Sequence, residues 1–167
     1  EHVRHEETAA FAAGAEASLT HKLTVCAGSS GPGNLHLING LFDCHRNRVP
    51  VLAIASHIPQ SEVGLNYFQE THPENLFKEC SCFCELVSNP KQMPEILFRA
   101  MNAAVGNQDV AVIVLPGDVA VMETEIDELP VWHHPRLPHI VPQREDIEEM
   151  SAHLEKGERI TLFCGAG

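Results

Sequence analysis

A glycine-rich loop is the first segment whose residue types could do chemistry. Residues 28–33, Gly-Ser-Ser-Gly-Pro-Gly, lie between an apolar run and a predicted helix. Glycines at such a junction permit positive φ angles and a close approach of the backbone to a ligand. The spacing fits neither a P-loop nor a dinucleotide-binding fingerprint, so a plain turn and a ligand-binding loop both remain open.

An acidic pair, Glu6 and Glu7, is the second such segment and stands near the start of a predicted helix over residues 5–19. Carboxylates there complement the helix macrodipole, so a solvated first turn is the simpler interpretation, for Glu7 above all. The neighbouring His5 is likewise interpreted as an ordinary polar residue. The chain has no His-Glu-x-x-His segment, no serine nucleophile elbow and no metal triad, so we predict no metal ligand in it.

Three closely spaced cysteines are possible metal ligands by residue type. Cys80, Cys82 and Cys84 follow one another at intervals of two, which in a strand would place all three on one face. Structural zinc sites prefer two to four residues between ligands. We therefore expect reduced, mostly buried thiols.

Composition bounds the class of protein. The 167 residues are 44% hydrophobic, enough for one packed domain or one domain and the start of another. The net charge of −12 argues against nucleic acid or an anionic membrane surface as the main partner. The apolar runs are strand-sized and the first residues are polar and charged, so we expect a cytoplasmic location, without a membrane span or signal peptide.

Helical and apolar segments alternate along the chain. Asn34 stands where a helix N-cap would be, and the segment 56–72 shows no period and is predicted to be a loop. The alternation predicts an α/β fold, a doubly wound parallel sheet with helices on both faces. The predicted strands are 22–27, 50–55 and 110–115, and the predicted helices after the first are one that follows Asn34 and one over 94–105.

The character of the chain changes after residue 120. We predict a first domain over residues 1–120, a proline-rich linker over 121–143 and the beginning of a second domain over 144–167. That beginning consists of an amphipathic helix over 144–156 and a strand over 159–164. A strand that runs into a glycine turn is half of a βα unit, so we expect the chain to be a fragment.

Several segments together resemble the pyrimidine-binding, N-terminal domain of thiamine-diphosphate enzymes. They are residues 5–15 (His-Glu-Glu-Thr-Ala-Ala-Phe-Ala-Ala-Gly-Ala), 28–34 (Gly-Ser-Ser-Gly-Pro-Gly-Asn), 68–70 (Phe-Gln-Glu) and 114–119 (Val-Leu-Pro-Gly-Asp-Val). Within the family, residues 39–47, 55–59 and 67–73 are most similar to the bacterial quinone-dependent pyruvate dehydrogenase (pyruvate oxidase) branch. The likeness covers nearly the whole chain and is weaker from 121 to 144.

This resemblance implies roles for individual residues. Glu6 matches the catalytic glutamate that hydrogen-bonds N1′ of the aminopyrimidine ring, a role that needs an apolar surrounding and predicts a raised pKa. The loop of Gly31, Pro32, Gly33 and Asn34 matches the lining of the pyrimidine site.

A second segment of the site is implied in the same way. Phe68 and Gln69 match residues beside the reactive thiazolium carbon, so Gln69 is a second catalytic candidate. His72 follows them, and an ordinary polar role is favoured for it over a place in the site.

Cofactors and partners follow from the resemblance as well. It implies thiamine diphosphate, Mg²⁺ held by ligands outside this chain, and FAD bound by a domain that lies mostly outside it; Gly165 and Gly167 match the first turn of that domain. About forty residues that precede the glutamate in the family are absent, as is the diphosphate-binding domain, so the fragment itself is expected to be inactive.

The function implied is oxidative decarboxylation of pyruvate to acetate and CO₂, with electrons passed through flavin to quinone. The implied assembly is a homo-oligomer, a dimer of dimers, whose contact with the membrane would be peripheral and made by regions outside this chain. An acetolactate synthase-type carboligase and a non-catalytic binding or assembly module of the same fold remain as alternatives.

Overall fold

The structure is a computed structural model that describes residues 1–125, 131–133, 135 and 140–164. The chain divides into two compact units, residues 1–135 and 136–167. In chain order the helices and strands are α1 (Glu6–Thr20), β1 (Thr24–Gly28), α2 (Pro32–Arg46), β2 (Val51–His57), α3 (Pro73–Leu76), β3 (Phe83–Leu86), α4 (Met93–Asn107), β4 (Val110–Pro116), α5 (Gly117–Ala120) and α6 (Arg144–Glu155). Short 3₁₀ turns cover Gln60–Glu62 and Pro90–Gln92.

The first unit is built on a four-stranded sheet in the order β1-β2-β4-β3, and every pair of neighbours is parallel. The two central strands are apolar except for Ser56 and His57 at the end of β2, and most of their residues are buried, as expected for a parallel sheet covered on both faces. The predicted α/β fold with a parallel sheet is confirmed.

Alternate residues of the central strands enter two separate hydrophobic clusters. On one face, Ala53 and Val112 pack with Leu37 and Leu41 of α2 and with the alanines of α1. On the other face, the intervening residues such as Ile113 pack against α4. The sheet is therefore covered on both sides, and α1 and α2 share one of them.

Small residues bring α1 and α2 very close together. A Cβ added to Gly40 would lie 2.5 Å from Cβ of Ala10, and one added to Gly14 would lie 2.6 Å from Sγ of Cys44. At Gly40 the added atom would also lie 2.9 Å from the backbone nitrogen of Phe11, so a larger side chain there would move a helix, whereas at Gly14 the Cys44 side chain would have to shift. This contact holds the first turn of α1 beside the first turns of α2.

Two local predictions are wrong. Asn34 is not the N-cap of α2, because the helix begins two residues earlier at Pro32 and the cap is Gly31, whose φ is +65°. Proline suits the first helical position, where its missing N–H has no partner in any case. The predicted loop 56–72 is also too long, since β2 continues to His57 and a 3₁₀ turn follows.

The three closely spaced cysteines do not share a face of one strand. The strand begins at Phe83, so only Cys84 belongs to it, while Cys80 is buried and Cys82 exposed. All six cysteines are free, and burial raises the pKa of the Cys80 and Cys84 thiols to about 12. Such thiols stay protonated at neutral pH and are poor nucleophiles.

The second unit confirms one predicted element and contradicts another. The amphipathic helix is present as α6. The predicted strand over 159–164 is wrong: these residues are not extended in a ladder, and Phe163 is 99% exposed. A strand requires a hydrogen-bonded neighbour, and the described residues of this unit contain no second strand to pair with it.

Parts of the predicted domain organisation fall outside the described residues. These are 126–130, 134 and 136–139 in the proposed linker, and the terminal turn with Gly165 and Gly167. The boundaries 1–120, 121–143 and 144–167 therefore stay predictions.

Candidate functional site

Glu6 is the first residue of α1, and its carboxylate faces the glycine loop that joins β1 to α2. The Ser29 hydroxyl donates a hydrogen bond to Oε1 at 2.9 Å, and Nδ1 of His36 lies 3.3 Å from Oε2. Each carboxylate oxygen therefore has one partner from the β1–α2 region. Two segments that are far apart in sequence, the start of α1 and the β1–α2 region, therefore meet at this one side chain.

Two glycines of the loop are required by this arrangement. A Cβ at Gly33 would lie 2.7 Å from Glu6 Oε1 and 2.3 Å from Ser29 Oγ, so a larger residue would push both groups away. Gly31 combines a positive φ with a close approach, because a Cβ there would lie 2.9 Å from the carbonyl oxygen of Gln69. The loop thus adjoins Glu6 on one side and Gln69 on the other.

The environment of Glu6 is polar, contrary to the prediction. Its own backbone N–H, the Ser29 hydroxyl and His36 hold the pKa of this carboxyl below its usual range, although partial burial acts in the opposite direction. The prediction of a raised pKa from the apolar neighbours is wrong, because the side chain is 28% exposed and Phe11 is 40% exposed. In this structure Glu6 is a carboxylate at neutral pH.

The predicted residues Phe68 and Gln69 have different surroundings. The Gln69 side-chain amide is within weak hydrogen-bonding range of Ser30, with Oε1 3.4 Å from the hydroxyl oxygen and Nε2 3.5 Å from the carbonyl. Phe68 is 83% exposed, and its ring stands 5.1 Å from that of Tyr67. The structure therefore brings Gln69, but not the Phe68 ring, against the glycine loop. His72 is exposed.

A carboxylate that the sequence did not single out shapes this segment. Glu70 accepts a hydrogen bond from the backbone N–H of Gly64 at 2.6 Å. This bond is the main reason why the pKa of Glu70 is lowered, and further backbone hydrogen bonds add to the effect. Gly64 and Asn66 both have positive φ. Glu70 thereby closes the turn that carries Phe68.

Asn34 serves the scaffold and does not line an open surface. It is fully buried in the first turn of α2, and its Nδ2 donates to the backbone carbonyl of Ser56 at 2.8 Å. Its Oδ1 and the Nδ1 of the buried His57 lack hydrogen-bond partners among the described residues. Burial lowers the pKa of His57, although Glu74 and Glu70 oppose the shift. Two orphaned polar atoms thus belong to residues at the carboxyl edge of the sheet.

Glu6 and Ser29 line a cleft of about 290 Å³ whose other walls include Ala9, Ala27 and the first five residues. Pockets for small ligands usually measure about 300–1,000 Å³, so the volume of this cleft is just below the lower limit of that range. In parallel α/β sheets, ligands bind outside the carboxyl ends of the strands, which is where β1 ends at the loop.

Sequence reasoning missed Ser29 and His36 as contacts of Glu6, and Asn39 as the hydrogen-bond partner of Glu7. Their spacing explains the position of His36: α2 begins at Pro32, and His36 follows Gly33 by three residues in it, so both lie on one face of the helix. Among the described residues, no group of three or more potential ligands could hold a metal ion. No described helix combines the length and apolar character needed to cross a bilayer.

Several known proteins are similar to this chain in sequence. The family model of the thiamine pyrophosphate enzyme N-terminal TPP binding domain matches residues 2–76. An uncharacterized 42.6 kDa protein from the isoamylase 3′ region of Pseudomonas amyloderamosa is 59% identical over 99% of this chain and 42% of its own length. Pyruvate oxidase of Lactiplantibacillus plantarum is 31% identical over 99% of the chain and 28% of its own length.

Acetolactate synthase isozyme 2 large subunit of Escherichia coli is similar to the same degree, with 30% identity over 98% of the chain and 30% of its own length. The family model and these relatives indicate the same family, and the parallel α/β fold is consistent with it. The chain belongs to the thiamine pyrophosphate enzyme family. It spans less than half the length of each of these relatives.

The residues of the site fit an aminopyrimidine. Such a ring presents nitrogen acceptors and an exocyclic amine. The cleft offers the Glu6 carboxylate and the Ser29 hydroxyl, and Gly33 of the glycine turn lies directly beside these two groups. Because Gly33 has no Cβ, the Glu6 carboxylate can lie directly against the loop.

Proposed function

We propose that this chain forms the pyrimidine-binding part of a thiamine-diphosphate- and FAD-dependent enzyme that decarboxylates pyruvate oxidatively to acetate and CO₂. Its electrons would pass through flavin to quinone. The observation that carries the proposal is the carboxylate of Glu6, held at the mouth of the β1–α2 loop by Ser29 and lining an open cleft. The likeness to a pyruvate oxidase supports the choice of substrate and of an oxidative outcome.

Glu6 is proposed to bind and orient the cofactor. Its carboxyl would hold the proton that is shared with N1′ of the aminopyrimidine ring, and Gly31, Pro32 and Gly33 would form the wall on which the ring rests. Asn34, which is buried, would support this loop from behind through its hydrogen bond to Ser56. When bound, thiamine diphosphate supplies a carbanion that adds to the keto carbon and an electron sink for decarboxylation. Because the pKa of Glu6 is lowered in the chain alone, its proton affinity must rise when the cleft is covered and water is excluded.

Gln69 is the second proposed catalytic residue. Its backbone lies against Gly31, so its amide is placed next to the same loop as Glu6, where it could hydrogen-bond the substrate carboxylate or keto oxygen. Phe68, which is exposed here, is proposed to exclude water from the reacting atoms once other parts of the enzyme cover it.

The further partners belong to the same proposal. Mg²⁺ and the diphosphate group would be held by residues outside this chain, and FAD by a domain of which residues 144–167 form the beginning. The assembly would be a homo-oligomer in the cytoplasm, and any contact with quinone or the membrane would be made outside these residues.

The test is an assay of the complete enzyme for pyruvate-dependent reduction of a quinone analogue. Glu6→Gln keeps the shape of the side chain but removes its proton chemistry, and we expect a loss of about 10²- to 10⁴-fold. Glu7→Gln is the matched control, since Glu7 is the adjacent acid and contacts Asn39 of α2; its activity should stay within about threefold. Undiminished activity in Glu6→Gln would refute the assigned role.

An acetolactate synthase-type carboligase is the second candidate, favoured by relatives at about the same identity. Product analysis separates the two, because the oxidative reaction releases acetate and the carboligase joins two keto acids. A non-catalytic binding module is the third candidate. Measurable affinity of this chain alone for thiamine diphosphate, together with no turnover by the complete enzyme, would favour it.

A further inference from the structure

His36 is placed to control the position of Glu6. It lies in the second turn of α2 with Nδ1 3.3 Å from Glu6 Oε2, while Ser29 occupies the other oxygen at 2.9 Å. Each of the two oxygens of the Glu6 carboxylate therefore has one contact, Oε1 with Ser29 and Oε2 with His36. Neither of them belongs to α1, so they fix the side chain relative to the loop and to α2.

The direction of the His36 contact follows from the charge of Glu6. An ionised carboxylate can only accept hydrogen bonds, and the pKa of Glu6 is lowered, so the hydrogen must lie on Nδ1 of His36. Neutral imidazole in water favours the other tautomer, with the hydrogen on Nε2. The contact therefore selects the less common form and leaves Nε2 as an acceptor.

A stacked ring restricts the rotation of His36. The centroid of the His5 ring lies 4.2 Å from that of His36, with an angle of 25° between their planes. Nδ1 of His5 is itself 3.8 Å from a carboxylate oxygen of Glu7. The titratable groups around His36 are thus Glu6, Glu7 and His5 from the start of α1.

We propose that His36 is a positioning residue: held as its Nδ1–H tautomer by Glu6 and braced by the His5 ring, it fixes the carboxylate at the mouth of the cleft. The inference rests on the proposed function in one respect, that the position of Glu6 matters for cofactor binding. The contact itself can be tested without cofactor or turnover.

Nuclear magnetic resonance of the chain provides the first measurement. Imidazole ¹⁵N shifts above neutral pH distinguish the two tautomers, and we expect His36 as Nδ1–H in the wild type and as Nε2–H in Glu6→Ala. His45, whose Nδ1 is 2.8 Å from Asp109, should remain Nδ1–H in both proteins and serves as an internal control. His36 is 45% exposed, so substitutions there should leave the fold intact.

The second measurement is the titration of the Glu6 carboxyl carbon in two variants. His36→Phe keeps a ring to stack on His5 but has no donor, and the pKa of Glu6 should rise. His36→Asn offers an amide donor at nearly the same place without a titratable group, and the pKa should rise less. Finding His36 as Nε2–H in the wild type, or the same Glu6 pKa in His36→Phe and wild type, would overturn the proposal.

The two proposals fail separately. If Glu6→Gln retains quinone reduction while the tautomer and titration results hold, the proposed function is wrong and the contact stands. If Glu6→Gln abolishes activity but His36 has the common tautomer, only the positioning role is lost.

Discussion

Helix α2 carries a carboxylate–histidine contact near each of its ends, and the two contacts differ in their surroundings. Near its start, His36 lies 3.3 Å from Glu6, whose side chain is 28% exposed. Near its end, His45 lies 2.8 Å from Asp109, whose side chain is 16% exposed. Asp109 also accepts the backbone N–H of Val110 at 2.6 Å.

The difference lies in the sheet ends that the two pairs adjoin. Asp109 immediately precedes β4, so its pair fastens the helix to the amino end of the sheet. Glu6 adjoins the carboxyl end of the sheet, where the glycines of the loop carry no side chains and an open cleft is present. A pair of one carboxylate and one histidine is thus expected to stabilise the fold at one end of the sheet and to serve a ligand at the other.

Gly33→Ala should have the largest effect and should act only at the carboxyl end. The added Cβ would meet Oγ of Ser29 and Oε1 of Glu6, which are the ends of side chains that can rotate away. A misplacement of about 1 Å in a catalytic group costs about 100-fold, so we expect that loss in quinone reduction by the complete enzyme. The Tm of this chain should change by no more than about 2 °C.

Turnover and thermal unfolding must be measured on the same variant, since only their combination is informative. Full activity at an unchanged Tm would mean that the reaction does not need Glu6 in this position, and the functional half of the comparison would fail.

Asp109→Ala should have the next largest effect and act on stability. It removes an acceptor that serves both Val110 N–H and His45, and hydrogen bonds to a charged group contribute about 1.5–3 kcal/mol. We expect the free energy of unfolding in urea to fall by about 2 kcal/mol. Asp43→Ala, at an exposed position of the same helix, should change it by less than about 0.5 kcal/mol. Equal losses in the two variants would contradict the fastening role.

Gly106→Ala is expected to have a smaller effect of opposite sign. Gly106 lies in the last turn of α4, and a Cβ there would meet nothing within 4 Å. Replacing a helical glycine in open space restricts the unfolded chain, so thermal unfolding should show a gain of about 0.5 kcal/mol. At Gly33 neighbouring atoms leave no room for a side chain, whereas at Gly106 no neighbour lies within reach. A loss of stability in Gly106→Ala would contradict this difference.

The sequence was sufficient for elements with strong local patterns. Apolar runs predicted β2 and β4 because both are buried on two faces, and periodicity predicted α4 and α6. The edge strand β3 was missed, because its four residues, Phe83–Leu86, lack a continuous apolar run. The strand predicted over 159–164 failed for the opposite reason: the run was present but the described residues offer it no partner.

The proximity of two predicted site residues agrees with the structure, while their roles stay predictions. Gly33 lies beside Glu6. Local sequence could not reveal that Ser29 and His36, 23 and 30 residues away, would reach the Glu6 carboxylate. Phe11, which is near Glu6 in sequence, is 40% exposed and does not enclose the carboxylate. A pKa depends on neighbours in space, so the predicted direction of its shift was wrong.

Ser29→Ala should have the smallest effect and reveals itself in the pH dependence of stability. The pKa of Glu6 is lower in the folded chain than its ordinary value in an unfolded chain, so its ionised form stabilises the fold above that ordinary value. This contribution is lost as the pH falls through the folded pKa. Removing the Ser29 donor brings the folded pKa closer to the unfolded one. Urea unfolding at about pH 7 and about pH 4 should therefore show a smaller acid-induced loss of stability in Ser29→Ala than in the wild type.

Ser81→Ala is the control, because the Ser81 hydroxyl donates to the carbonyl of Phe77 and touches no carboxylate. The acid-induced loss of stability in this variant should equal that of the wild type. An unaltered pH dependence in Ser29→Ala would mean that the hydroxyl does not stabilise the charge of Glu6, and the pair near the start of α2 would then depend on His36 and the backbone alone.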